Sequence, residues 1–322
     1  MLWRATESLS FTGGYGLSYQ APLLSEIAGP QIVVTGPLLL NDPFRGNTLS
    51  NYPVTQVFGP NPNVKPETGD ALTLGLSYSS KTLRGLHASL SWYDLKITNY
   101  VGAQASQALI DYPNLFPGAV VRAPPTPADQ QLGYLGLITQ LNSTFYNFGD
   151  LRVGGFDADI RYEIDTRVGR LTPSLSVANI YKWTSALLPG LPAVDAVSKA
   201  TGQFSGVGWA LRWKGTAALA WKKGPISTSL AGRYIGRYLD YQDFVQNTNE
   251  TGNSWIYDFS ARYEAGQGLA KTNTWFSGGY IELGAVNLLN KTPPFSYTNL
   301  WYDQTEYDIR GRFVYANAGL RF

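Results

Sequence analysis

The residues best suited to contact a ligand lie close together near the end of the chain. Segment 290–310 contains Phe295, Trp301, Tyr302 and Arg310. Aromatic rings stack on sugar rings and aryl groups, and the guanidinium of arginine holds anions through paired hydrogen bonds. The segment therefore predicts a ligand contact made by Trp301, Tyr302 and Arg310. The aromatic residues have an alternative structural role, because aromatic side chains also line the polar boundary of membranes.

Residues for catalysis or metal binding are scarce. The sequence has no cysteine, which excludes disulfide bonds and thiolate metal sites. Its single histidine, His87, excludes a centre built from several histidines, and a hydrolase would depend on this one residue. His87 follows the short polar turn 79–85, far along the chain from segment 290–310. We therefore expect no enzymatic activity, no metal and no cofactor, and a hydrolase that uses His87 is the least favoured function.

Composition and charge exclude two further classes of protein. The 322 residues carry a formal net charge of +2, and only 15% of them are charged, so nucleic acid is not an expected partner. The sequence contains no run of about 18 apolar residues, which excludes transmembrane helices. Its 21 tyrosines, 9 tryptophans and 34 glycines, against a single methionine, are typical of β architecture with aromatic surfaces.

Alternation of apolar and polar residues predicts strands longer than those of most soluble proteins. In FDADIRYEI, residues 156–164, apolar side chains occupy every second position and charged ones the positions between. The same pattern predicts that Trp209, Trp213 and Trp221 lie on one face of a single strand. In the first predicted strand, Glu7 interrupts the apolar face. Ten strands are predicted, near residues 2–11, 71–78, 86–100, 156–164, 170–184, 209–222, 226–240, 254–264, 279–289 and 311–322.

The connections between these strands alternate in length. Turns 79–85, 165–169 and 222–225 are short, whereas 12–69, 102–150, 185–207, 241–253 and 290–310 are long and polar or rich in proline and glycine. Outer-membrane barrels have short periplasmic turns and long extracellular loops. We therefore predict an all-β fold, an antiparallel up-and-down transmembrane β-barrel segment of about ten long strands. A large soluble β-sandwich is the alternative.

The two faces of the strands then have different surroundings. Trp209 and Trp221 would stand about 28 Å apart along the membrane normal, one at each interface of the lipid. A charge on the lipid side costs about 2–4 kcal/mol at the midplane, so the charged faces should line the interior. We expect a solvated inner wall with cross-strand ion pairs formed by Asp157, Asp159, Arg161, Glu163, Arg212, Lys214, Arg233, Arg237, Asp258, Arg262 and Glu264.

Four motifs, in the correct order, resemble the C-terminal barrel region of TonB-dependent outer-membrane receptors. They are LWRATESLSFTGGYGLSYQAPLLSEIA (2–28), NPNVKPETGDALTLGLSY (61–78), GAVNLLNKTPPF (284–295) and YDIRGRFVYANAGLRF (307–322). The last strand also resembles the signal by which outer-membrane barrels are recognised for assembly, carried here by Val314, Leu320 and Phe322. The resemblance extends over essentially the whole chain.

The resemblance implies a transport function. Such receptors import siderophore-bound iron, cobalamin or oligosaccharides by energy-coupled removal of a plug domain. Residues 1–322 would be one barrel domain in the outer membrane of a Gram-negative bacterium, roughly the last half of a barrel of about 22 strands, without signal peptide, TonB box or plug.

The partners implied are outer-membrane lipid and lipopolysaccharide, the barrel assembly machinery, a small ligand, and the missing N-terminal barrel half and plug, through which TonB would act. A self-contained ten-stranded barrel, either porin-like or an adhesin, is the alternative function for these predicted strands.

Overall fold

Almost all the regular structure is β. The computed structural model describes residues 1–103, 106–186, 188, 192–200, 208–240, 249–265, 278–297 and 300–321. The strands are β1 (Leu2–Arg4), β2 (Leu9–Gln20), β3 (Ile32–Asp42), β4 (Thr48–Gly59), β5 (Glu67–Ser79), β6 (Leu86–Thr98), β7 (Val101–Ala103), β8 (Val120–Arg122), β9 (Ile138–Asn147), β10 (Leu151–Tyr162), β11 (Ile164–Thr166), β12 (Gly169–Ser185), β13 (Val194–Asp195), β14 (Trp213–Lys223), β15 (Ile226–Ile235), β16 (Tyr238–Leu239), β17 (Glu250–Thr251), β18 (Ser254–Ala265), β19 (Gly278–Val286) and β20 (Phe313–Arg321). The helices are α1 (Leu24–Ile27), α2 (Ser106–Asp111) and α3 (Pro127–Leu132), with a 3₁₀ turn at Pro43–Arg45. Within the described ranges, no helix is long and apolar enough to span a membrane.

One large sheet contains the strands that the sequence predicts. Its path is β1-β2-β5-β6-β10-β12-β14-β15-β18-β19-β20, with β11 and β13 paired to β12. Every neighbouring pair along this path is antiparallel. The ten strands after β1 are between 9 and 17 residues long. The predicted fold class, an antiparallel up-and-down barrel segment of ten long strands, is confirmed.

The first predicted strand has the wrong bounds. Residues 2–11 form β1, a turn and the start of β2, and β2 pairs with β5 along its whole length from Leu9 to Gln20. The sequence GGYG at 13–16, taken as loop, therefore lies within a strand. Glu7 interrupts the apolar pattern because it lies in the turn, where it forms an ion pair with Lys81 of the next short turn. Glycines suggest a loop by local propensity, but a paired neighbouring strand overrides that preference.

The outer face of the large sheet is apolar across several strands. Leu219, Leu230, Phe259, Ala285 and Val314 are successive partners in the register of five strands. Leu219 is 47% exposed and Val314 is 70% exposed. Four of these five side chains are exposed, whereas Ala285 is buried. An exposed apolar row of this kind is unfavourable in water and is suited to hydrocarbon.

The inner face carries ion pairs between strands at some of the predicted residues, whereas Arg212 and Arg237 lie outside the strands. Arg233 on β15 donates from Nε and Nη2 to the two carboxylate oxygens of Asp258 on β18, at 2.7 and 3.1 Å. Arg262 lies 3.3 Å from Glu264 and 3.8 Å from Glu282 of β19. These partly exposed pairs contribute about 0–1 kcal/mol each to stability. Their main effect is to give each charged side chain of the inner wall a partner of opposite charge.

Trp209 does not lie on the lipid-facing side, which corrects the predicted pair of interfacial tryptophans. Strand β14 begins at Trp213, and the ring of Trp209 instead lies 4.8 Å from the ring of Tyr238, beside a buried cluster that includes Ile235. Trp221 remains at the short-turn end of β14, where its Nε1 donates to the carbonyl of Val168 at 3.0 Å. The alternation of apolar and polar residues extends back to Trp209, before the first residue of β14, so it does not mark where the strand begins.

Two of the long connections fold together into a second sheet, which we call the loop lobe (residues 21–66, 99–103 and 106–150). Its path is β3-β4-β9-β7, with β8 paired to β9, and β4 runs parallel to β9. A buried core joins the two connections, formed by Leu40, Val54, Ile110, Ile138 and Leu141. These segments were predicted as loops. Strands β3 and β4 form a local hairpin that the prediction missed, whereas β4 pairs with β9 across 85 residues, which leaves no local turn pattern.

Candidate ligand-binding site

The connection between β19 and β20 folds inward over the wall, and we call its described residues, 287–297 and 300–312, the cap. The backbone N–H of Asn287 donates to Asp258 on the inner face of β18 at 2.8 Å. Farther along, Nζ of Lys214 on β14 lies 2.8 Å from the Glu306 carboxylate. Because the long connections leave the same end of an up-and-down sheet, the cap and the loop lobe lie at one end of the molecule.

A buried carboxylate holds the first half of the cap. Asp240, which follows β16, is 0% exposed. It accepts hydrogen bonds from the Ser296 hydroxyl at 2.7 Å and from the backbone N–H of Tyr297 at 2.9 Å. Ser296 is also fully buried. A buried charge requires such donors, because an unpaired one is strongly destabilising.

A second buried carboxylate holds the other half of the cap. Asp303 accepts from the hydroxyl of Tyr238 at 3.0 Å and from the backbone and hydroxyl of Thr305 at 2.9 and 2.6 Å. Burial, followed by the adjacent negative charge of Asp303, raises the pKa of Tyr238 above its ordinary value. Tyr238 therefore stays protonated and remains a donor at physiological pH.

Between these two anchors, the cap exposes a group of aromatic rings that we call the aromatic platform: Phe295, Tyr297 and Trp301. The rings of Phe295 and Trp301 are stacked, with centroids 5.8 Å apart and an interplanar angle of 25°. Tyr297 meets Phe295 edge-on at 5.1 Å. Trp301 is 67% exposed, which leaves its ring available for contact with a ligand.

The three predicted site residues do not form one cluster. Trp301 belongs to the platform, whereas Tyr302 packs against the buried cluster around Tyr238. Arg310 is engaged by Asp308, whose carboxylate accepts from Nε at 2.8 Å and from Nη2 at 2.5 Å. This pairing holds the pKa of Asp308 at about 2. Phe295 and Tyr297, which were not predicted as site residues, lie beside Trp301 instead of Tyr302 and Arg310. Their positions on either side of Ser296 in the sequence were the signal that could have identified them.

A cavity of about 540 Å³ lies between the cap and the inner wall. Thr305 and Glu306 of the cap contribute to its lining, and the wall contributes Asp157, Asp159, Ser176, Lys214, Thr216 and Arg233. Burial raises the pKa of Glu306, although its ion pair with Lys214 opposes the shift. The cavity is large enough for a small polar ligand and presents both charge signs and hydroxyl groups.

A second cavity, of about 490 Å³, lies in the loop lobe. Its amides bond to one another and to the backbone: Gln140 donates to Asn142 at 2.7 Å, and Asn142 donates to the carbonyl of Gly118 at 2.7 Å. The described lining of the second cavity contains no charged side chain, so it offers a ligand no charge-assisted hydrogen bond, unlike the first cavity.

His87 lies at the opposite, short-turn end of the wall. Its Nδ1 is 3.0 Å from the hydroxyl of Ser79, and its register partner on β10 is Arg161. Among the described residues, no group of three or more histidine, aspartate or glutamate side chains is arranged to hold a metal ion.

The residues predicted to direct assembly lie on β20. Val314 and Leu320 are on its outer face, and Leu320 is 64% exposed. Phe322 lies outside the described residues.

The TonB-dependent receptor-like β-barrel family model matches residues 1–288. Solved structures with a similar fold include the siderophore receptor PirA from Acinetobacter baumannii, at 13% identity and a TM-score of 0.60, covering 100% of this chain and 40% of that one. A mutant of the ferric enterobactin receptor PfeA from Pseudomonas aeruginosa is 15% identical, with a TM-score of 0.62 and coverage of 100% and 39%. The ferric-catecholate import receptor Fiu from E. coli K12 is 15% identical, with a TM-score of 0.55 and coverage of 100% and 34%.

These identities establish similarity of fold, and the chain spans about 40% of the length of PirA. A search of curated proteins found no match. The family match extends over most of the chain and agrees with the long antiparallel strands, the apolar outer face and the ion-paired inner face. The chain belongs to the TonB-dependent receptor β-barrel family.

Proposed function

We propose that this chain forms barrel wall and extracellular loops of an outer-membrane receptor that takes up a small ligand by TonB-coupled transport. The observation that carries the proposal is the pairing of an apolar outer face with an inward-folded cap that exposes stacked aromatic rings. In this role residues 1–322 act as a single barrel domain in the outer membrane of a Gram-negative bacterium, in contact with lipid and lipopolysaccharide. The role is one of binding and transport, without catalysis or a cofactor.

Strand direction supports a partner that contributes further strands. The path from β1 to β20 has eleven strands, all antiparallel to their neighbours, so its two end strands run in the same direction. Antiparallel closure between β1 and β20 is therefore impossible, and unpaired backbone groups in lipid cost several kcal/mol each. We propose that an N-terminal barrel half and plug join this sheet and connect it to TonB. A self-contained ten-stranded porin-like or adhesin barrel would require β1 to leave the edge of β2.

The proposed ligand is a siderophore, cobalamin or an oligosaccharide, which all present ring faces or flat groups. Trp301 is the proposed stacking residue, since its ring is exposed and supported by Phe295. Tyr302 would contribute by packing against the buried cluster around Tyr238, and Arg310 by exchanging Asp308 for an anionic group of the ligand. The names of PirA, PfeA and Fiu make ferric siderophores the first ligands to test.

The test is ligand binding and uptake by cells that express the full receptor containing this chain. Uptake of ⁵⁵Fe-enterobactin, ⁵⁷Co-cobalamin and a labelled maltodextrin is compared in strains with and without TonB. One ligand should accumulate only with TonB, and Trp301→Ala should weaken its binding about tenfold, which corresponds to about 1.4 kcal/mol. Trp213→Ala, on the lipid-facing side, is the matched control and should bind as the parent does. Equal uptake without TonB for every ligand would contradict the proposal.

We also propose that Val314, Leu320 and Phe322 direct recognition by the barrel assembly machinery. The exposure of Val314 and Leu320 on the outer side of β20 supports this role, because an assembly factor can reach them before lipid does. Leu320→Asp should lower the amount of assembled, heat-modifiable receptor in outer-membrane fractions. Asn317→Asp, on the inner face of the same strand, is the control.

A further inference from the structure

We propose that Asp240 and Ser296 form a buried positioning pair that holds the aromatic platform in its ligand-binding geometry. The inference rests on the proposed function, because the ligand contact of Trp301 belongs to that proposal. Both side chains are fully buried, so they act on the ligand only through the platform.

Two hydrogen bonds connect the buried carboxylate to the platform segment, and a third joins the two ends of that segment. The two carboxylate oxygens of Asp240 accept from the Ser296 hydroxyl at 2.7 Å and from the Tyr297 backbone at 2.9 Å. The backbone N–H of Ser296 in turn donates to the carbonyl of Trp301 at 3.1 Å. Asp240 therefore fixes the residues next to Phe295, and Ser296 fixes the distance between the two ends of the platform.

The backbone at Trp301 indicates why such support is needed. Trp301 has a φ of 63°, in the left-handed region that residues other than glycine adopt only when their surroundings enforce it. The Ser296–Trp301 bond holds this conformation and with it the stacking of the indole on Phe295. Without the buried anchor, we expect the segment to relax and the two rings to separate.

The same geometry narrows the chemistry of the ligand. The platform offers two nearly parallel ring faces, those of Phe295 and Trp301. A surface of stacked rings binds flat faces, such as an aryl group or the apolar face of a sugar ring. A ferric catecholate and a maltodextrin, used as separate probes, distinguish a ligand with an aryl group from a ligand with sugar rings.

The experiment compares Asp240→Asn, Ser296→Ala and Ser296→Thr in the full receptor. Loss of one hydrogen bond should weaken binding of ferric enterobactin or of maltohexaose by about 3- to 10-fold, whereas Ser296→Thr keeps the hydroxyl and should restore most of the affinity. In a Trp301→Ala background, Asp240→Asn and Ser296→Ala should have no further effect, because the element that they position is already lost. Asp42→Asn is the matched control: it perturbs a buried carboxylate of the loop lobe, and its effect should add to that of Trp301→Ala.

Near-ultraviolet circular dichroism gives a readout that needs no ligand. The stacked platform contributes a signal equal to the difference between the parent and Trp301→Ala, and Ser296→Ala should remove the same signal. The positioning role is wrong if Ser296→Ala and Asp240→Asn keep that signal. It is also wrong if these changes weaken binding in the Trp301→Ala background as much as they do in the parent. If Trp301→Ala itself binds every probe like the parent, the proposed ligand contact fails instead.

Discussion

Individual ion pairs in this protein differ mainly in burial. Arg122 donates to both carboxylate oxygens of Asp42 at 2.6 and 2.9 Å, and the two side chains are 15% and 3% exposed. Arg310 and Asp308 have similar distances, but their side chains are 70% and 54% exposed. Water screens the second pair and not the first, so equal geometry does not mean equal energy.

Arg122→Ala should destabilise the loop lobe by about 3–5 kcal/mol, because it leaves the Asp42 carboxylate buried without a cation. Arg310→Ala should leave stability almost unchanged, because water screens its exposed pair with Asp308. Hydrogen exchange of the amides in β3, β4, β8 and β9 measures the first effect locally. Equal protection of these amides in the two variants would contradict the distinction.

Asp129 at the start of α3 gives the loop lobe a dependence on pH. Hydrogen bonds from Arg45, and then from the backbone and hydroxyl of Thr126, lower its pKa from 3.8 to about 2. A lowered carboxyl pKa means that the fold stabilises the charged form. The stabilisation is complete above the ordinary pKa and is lost as the pH falls through about 2.

We therefore expect the amides of α3 to keep their protection at neutral pH and to lose it progressively as the pH falls from about 4 to about 2. Asp129→Asn should reduce protection at neutral pH and flatten this dependence. Hydrogen exchange as a function of pH measures both. A steep loss that persists in Asp129→Asn would assign the transition to another group.

At the scale of elements, the two faces of each strand have opposite requirements. Leu219 and Ala218 are neighbours on β14, but Leu219 lies in the exposed apolar row with Leu230, while Ala218 pairs with Ser174 and Ala231 on the inner side. A strand of this kind tolerates a charge on one face only, because only the inner face has water and counter-charges.

Leu219→Arg should therefore destabilise the assembled protein by about 2–4 kcal/mol if the position lies near the membrane midplane, and Ala218→Arg should cost much less. Urea unfolding in detergent micelles or vesicles measures the difference. A larger cost for Ala218→Arg would invert the assignment of the two faces.

For the whole molecule, the exposed apolar rows decide which solvent the protein needs. Leu219, Phe259 and Val314 lie on one continuous outer surface that crosses several strands. Surfaces of this size and apolarity associate in water.

The full receptor that contains this chain should be monodisperse in detergent or lipid and should aggregate when detergent is removed. Size-exclusion chromatography with light scattering is the measurement. A monodisperse species in plain buffer would mean that the apolar face is covered by protein and not by hydrocarbon.

The sequence alone determined the ten long strands, their two faces and the alternation of short and long connections. Each follows from a period of two residues or from local turn composition, so neighbours along the chain are sufficient to reveal it. The local pattern gave the wrong strand bounds at Trp209 and at residues 13–16, because hydrogen bonding to the neighbouring strand decides where a strand begins and ends.

Only the tertiary structure decided how the connections fold. Asp42 and Arg122 are 80 positions apart, and Asp240 and Ser296 are 56 apart. Such long-range contacts leave no repeating pattern in the sequence, because each depends on where the large sheet places the ends of its strands. The loop lobe, the inward cap and the aromatic platform are therefore products of the assembled sheet, whereas the strands themselves are encoded residue by residue.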